Sequence, residues 1–245
     1  MESLAIGAAL ALALSSALLE WARHVASQPA LSYVLIFPIL LLLAARATPV
    51  GPQAKQEGLA LMFLATLIVL LSIATATHRL GRLAIPCGII GLLRFTGKAT
   101  HSTAGLAMFV VPIPHSIVVA APLESVWLAF AEAIVGSAGP ELVLDEWDGG
   151  LRLVALFAGL GWYAGAREGN GWRGALRRAG ALAMLGLPVQ MAATIVGVAM
   201  ARAGAPDLAR ALLTHGVWMV AAAATIGAIE RRAFRAAAVG VKAHV

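Results

Sequence analysis

Three segments between Leu151 and Val220 decide the reading of this chain: Leu156-Phe157-Ala158-Gly159-Leu160-Gly161, then Leu187-Pro188-Val189-Gln190-Met191-Ala192-Ala193-Thr194-Ile195-Val196-Gly197, then Leu213-Thr214-His215-Gly216. Each lies in an apolar run of membrane-span character, Leu151 to Ala166, Gly180 to Met200 and Ala211 to Ile229. Arg167, Arg173, Arg177 and Arg178 crowd the connector between the first two. Apolar runs broken by short basic connectors are the pattern of a polytopic membrane protein, in which lipid forces every backbone polar group to be satisfied within a helix.

Composition agrees. Of 245 residues, 60% are hydrophobic and 12% charged, and mean hydropathy is +0.87. A soluble core of this size cannot hide that much apolar surface. The net charge of +6 and pI near 10.4 are spread between apolar runs, not gathered into a basic patch interleaved with aromatics, so nucleic acid is not an expected partner. A single cysteine, Cys87, excludes an intrachain disulfide and a Cys-rich metal site, and no cofactor or metal is expected.

Working outward, five further runs precede these three. Leu4 to Leu19 has no basic residue before it and is read as a retained span, not a cleaved leader. Leu31 to Ala45 follows, then a polar linker from Arg46 to Glu57 with Pro49, Gly51 and Pro52. Gly58 to Ala76 has the length to cross about 30 Å of hydrocarbon. Leu80 to Leu93 is broken by Pro86, Gly88 and Gly91, as a tilted span or re-entrant piece would be, and Ala104 to Pro122 carries Pro112, Pro114 and His115. From Leu123 to Gly136, Leu123, Val126, Trp127, Phe130 and Ile134 recur at helical spacing and predict an interfacial amphipathic helix, followed by an acidic loop to Gly150.

The expected fold is thus an all-α polytopic membrane protein, one domain over residues 1–245, with about eight transmembrane helices. It has an outer amphipathic helix and acidic loop at 123–150 and a basic tail at 230–245. Lysines and arginines divide 12 to 5 between the two sides, Arg152 standing at a span edge, which puts both termini in the cytoplasm. Phe157, Gly197 and His215 then fall in the outer leaflet, where they can converge in one cavity walled by Pro112, Pro114 and His115.

In spacing and flanking residues the three segments resemble the C-terminal half of the exosortase/archaeosortase family, membrane transpeptidases that cut and transfer C-terminal sorting tails. The stretch Phe109 to Pro114 with Pro122-Leu123-Glu124 is similar to the family's middle section, and Ser32 to Pro38 to its early span; the likeness covers about residues 20 to 230. It implies a bacterial inner membrane and a catalytic set of Cys, Arg after Asn, and His. Here the Cys position falls on Phe157, the Asn on Thr194 and the Arg on Gly197, and the His is kept as His215.

A transpeptidase needs a nucleophile lowered toward thiolate and a cationic donor for the oxyanion. Phe157 and Gly197 supply neither. The expectation is therefore a catalytically degenerate, exosortase-like binding, assembly or accessory subunit that holds lipid, a transmembrane segment or a partner membrane protein. A cysteine-independent sorting peptidase built on His215 is the second reading, and a small-solute transporter the third, though every Asp and Glu is placed in a loop or at a span edge. If the degenerate position is simply filled, Phe157 packs on Gly197. His215 and His115 also have the plainer reading of hydrogen-bonded span histidines, and Gly159, Gly161 and Gly165 that of close helix packing.

Overall fold

The computed structural model describes residues 2–27, 29–44, 52–97, 101–110, 117–136, 151–169 and 171–242. Among them every element is helical and no strand occurs. The α-helices are α1 (Glu2–Ala13), α2 (Ser15–Ser27), α3 (Ile36–Ala44), α4 (Pro52–Ala74), α5 (His78–Phe95), α6 (His101–Gly105), α7 (Ile117–Val135), α8 (Leu151–Arg167), α9 (Trp172–Ala183), α10 (Gly186–Arg202), α11 (Pro206–Ala211) and α12 (Val217–Lys242). Pro29–Leu35 and Leu106–Val110 are 3-10 turns, and Leu212–Gly216 is a π turn.

Three helical runs are long and apolar enough to cross a membrane: Gln53–Ala74, Trp172–Arg202 and Pro206–Arg235. A fourth would be the bent pair Ala5–Ala13 and Ser15–Ser27, which meet at 63° at Leu14. Eight separate spans do not emerge. The run from Leu31 opens as a 3-10 turn, leaving α3 only 9 residues. α5 carries Arg82 and Arg94, both in ion pairs, and α8 stops at 17 residues. The expected linker ending at Glu57 is helical from Pro52, because proline at the first helical position is pre-set for the helix and lacks only an N–H that has no partner there. Pro112, Pro114, His115 and the acidic loop lie outside the described residues.

The chain falls into two compact units, Met1–Pro112 with Gly169–Arg173, and Ile113–Glu168 with Gly174–Val245. In the first, α4 and α5 form an antiparallel hairpin drawn tight at Gly58 and Gly91. A Cβ on Gly58 would stand 2.7 Å from the Gly91 carbonyl oxygen. The same end is tied by the Glu57–Arg94 ion pair, and α5 is tied to α2 by Arg82 and Glu20 at 3.1 Å. Tyr33, Val34, Phe37 and Leu40 make its core, with the Phe37 and Phe109 rings 5.4 Å apart.

The membrane character of both units is visible in what they leave uncovered. Phe63 is 67% exposed, Ile73 64% and Val220 69%, each on a long apolar helix, and soluble proteins do not present such continuous faces to water. The chain is an integral membrane protein by this measure.

In the second unit α8 is central and apolar on all sides: Leu153, Leu156, Leu160 and Tyr163 are fully buried. It turns back at once into α9, and the hairpin closes backbone to backbone. A Cβ at Gly161 would collide with the Arg178 carbonyl, one at Gly165 would lie 2.5 Å from Ala175 Cα, and one at Gly186 2.5 Å from the Val154 nitrogen. These three contacts share one antiparallel register. The small residues therefore serve packing within the chain. Pro188, lacking an N–H, accounts for the break at Met184 and Leu185 between α9 and α10.

The predicted amphipathic helix is the second half of α7, and its large apolar residues face outward. Val126, Phe130 and Ile134 are exposed, whereas Ala131 is buried against Val198, Ala201 and Ala209 of α10 and α11. α7 is followed by Gly136, whose φ of +84° suits glycine and lets the Arg202 guanidinium stand over the last turn, near the carbonyl end of the helix dipole.

Candidate functional site

The residue the sequence treats as a mere span edge turns out to organise the second unit. Arg152, in the first turn of α8, is 3% exposed and donates from Nη1 to the Thr214 carbonyl at 2.9 Å and from Nη2 to the Leu213 carbonyl at 2.6 Å. Those carbonyls belong to the π turn, where the Val217 N–H reaches back five residues to Leu212. A wider turn interrupts the ordinary i to i−4 ladder, and such turns gather at functional sites. A guanidinium, with its fork of donors and no need to deprotonate, is the side chain best able to hold two adjacent carbonyls in an apolar setting.

Leu213 is also the residue whose side chain fills the space beside Gly197. The three heavy atoms nearest to where a Gly197 Cβ would stand are all from the Leu213 side chain, the closest at 2.7 Å. Gly197 thus meets the π turn, but through Leu213 and not through Phe157. The hairpin register gives the reason. With Gly186 beside Val154 and Gly165 beside Ala175, Phe157 lies level with Ala183, about 20 Å along the helix from Gly197 at 1.5 Å per residue. Phe157 is buried at 5% exposure, one and a half turns deeper than Arg152.

Thr194 is buried at 1% and its hydroxyl donates to the Gln190 carbonyl at 2.9 Å, an in-helix bond common for span threonines. His215 is exposed, turned away from the buried Leu213 beside it. The structure therefore joins Gly197 to the π turn, places His215 on the outside of that turn, and keeps Phe157 apart.

A second polar cluster closes the other end of α8. Tyr163, wholly buried, donates to Glu230 Oε1 at 2.5 Å. Arg167 forks onto the same carboxylate, Nε to Oε1 at 2.9 Å and Nη2 to Oε2 at 2.7 Å. Arg152 pairs with the π turn that leads into α12 and Arg167 with the middle of α12, so α8 and α12 run side by side in the same direction, while α9 and α10, between them in sequence, return. Next to Arg167, Glu168 takes Arg178 at 2.7 Å. Neither cluster was among the sequence-predicted site residues. The available signal was spacing: two arginines at the ends of one short apolar run, and one carboxylate just past another.

Among the described residues no group of three His, Cys, Asp or Glu side chains is placed to hold a metal ion. Comparison with family models, with curated proteins and with solved structures returned no match.

Proposed function

We propose that this chain is a catalytically silent, exosortase-like subunit of a bacterial inner-membrane complex, and that it binds a partner membrane protein or transmembrane segment through the outer end of α8, α10 and α12. The observation that carries this reading is Leu213 seated against Gly197. Where the resemblance calls for a cationic oxyanion donor there is an apolar contact, and the nearby guanidinium of Arg152 is committed to backbone carbonyls. With Phe157 in place of a thiol, neither nucleophile nor oxyanion donor remains for peptide transfer. His215, exposed on the π turn, is the polar group a neighbouring segment would meet first.

On this reading both termini are cytoplasmic, and the end of α8 bearing Arg152 faces outward. The parallel course of α8 and α12, with α9 and α10 returning between them in sequence, fits that orientation. The test is direct. Purified protein incubated with a Pro-Glu-Pro-type sorting tail should give no cleavage, and affinity capture from native membranes in mild detergent should bring down a membrane partner that His215→Leu loses. Cleavage abolished by His215→Ala would overturn the proposal in favour of an active peptidase.

A further inference from the structure

We infer that the end of the second unit formed by the last turn of α8, the adjoining part of α9 and the C-terminal half of α12 is a docking surface for anionic phospholipid headgroups. Two carboxylates stand there and both are engaged, Glu230 by Arg167 and Tyr163, and Glu168 by Arg178. These bonds fix α9 and α12 to the same end of α8. They leave Arg177, beside Arg178, and Arg231, Arg232 and Arg235, just past Glu230, exposed and in no ion pair among the described residues.

The surface is therefore cationic because its acidic groups are spent internally. Large apolar side chains stand among the arginines: Leu176 is 53% exposed and Phe234 76%. Depth agrees as well. Leu213 to Glu230 of the last helical run covers about 25 Å at 1.5 Å per residue, close to one hydrocarbon thickness, so Arg231 to Arg235 emerge at headgroup level with Phe234 among them. Arginines at that level with an interleaved aromatic match a layer of phosphodiester anions above acyl chains.

This inference rests on the membrane reading and not on the exosortase-like one. The test uses the full-length protein purified in non-ionic detergent, with phosphatidylglycerol or phosphatidylcholine added and bound lipid counted by native mass spectrometry. Phosphatidylglycerol should be retained preferentially, and less so as salt is raised. Arg231→Gln, Arg232→Gln and Arg235→Gln combined should lower retention by about fivefold per arginine, the factor set by about 1 kcal/mol per basic residue at an anionic surface. The corresponding lysine triple should keep it, as should Arg210→Gln on α11. If the glutamine triple fails to fold, Arg177→Gln alone should show a single fivefold loss. Equal retention of the two lipids, an equal loss in Arg210→Gln, or competition by inorganic phosphate as effective as the lipid would overturn the inference. A chain that stays soluble without detergent would instead overturn the membrane reading beneath it.

Discussion

Arg152 Nη2 lies 2.6 Å from the carbonyl oxygen of Leu213, so the guanidinium at the start of α8 holds the backbone of the π turn that leads into α12. Here a side chain of one helix donates to the backbone of another.

Replacing Arg152 with methionine should therefore destabilise the protein strongly. Two carbonyls in an apolar setting lose charge-assisted donors, which costs about 2 to 4 kcal/mol. Thermal unfolding in detergent should show the drop, with Arg152→Lys in between because an ammonium cannot fork across both oxygens. An unchanged melting temperature in Arg152→Met would mean the π turn supports itself.

Gly197 and His215 should separate packing from binding. Gly197→Leu sets a large side chain where Leu213 Cδ1 already stands, and overpacking of this kind costs about 1 to 3 kcal/mol. His215→Leu replaces an exposed group and should leave the stability within about 0.5 kcal/mol of wild type while losing the co-purifying partner. Partner retention in His215→Leu would move the binding surface away from the π turn.

The cluster at the other end should behave as a unit. Tyr163→Phe removes one hydrogen bond to a carboxylate and should cost about 1.5 to 3 kcal/mol, and Glu230→Gln, which leaves Arg167 without its counter-charge, a comparable amount. The double variant should cost clearly less than the sum, because both changes break the same network. Additive losses in unfolding measurements would show that Tyr163 and Arg167 act independently.

Topology can be checked chemically. In a background with Cys87→Ser, a cysteine at Ser137 should label in intact cells and one at Asn170 only after permeabilisation, as the 12 to 5 division of basic residues requires. Labelling of Asn170 in intact cells would invert the proposed orientation.

How much of this was open to sequence reading depends on what kind of force sets each feature. The helical class and the span at Gly58 to Ala76 follow from hydropathy alone, and α4 matches it. The glycines of α8 were readable as packing residues because a missing side chain has few other uses in a span. Arg152 was not, since at a run's edge an arginine in headgroups and one buried on carbonyls look alike. Its partners, 61 and 62 residues away, obey no period. The reach of α9 back to Trp172 was hidden for a related reason: arginines on the exposed side of a helix and arginines in a loop give the same charge count. Phe157 and Gly197 were set apart by the register of the hairpin, which is decided by which glycines meet, and several registers are compatible with the same small residues.

The separation of 61 positions from Arg152 to Leu213 also imposes a schedule on synthesis. At about 5 to 20 residues per second, the carbonyls that receive the guanidinium leave the ribosome roughly 3 to 12 s after it does. Until then α8 carries an uncompensated charge at one end and Arg167 at the other, without Glu230. Arginines at the two ends of a short apolar helix can meanwhile reach headgroup level, as long side chains at span ends do. The buried arrangement of Arg152 should therefore form only once the π turn arrives, and in a chain truncated before Leu213 the start of α8 should remain accessible to proteases.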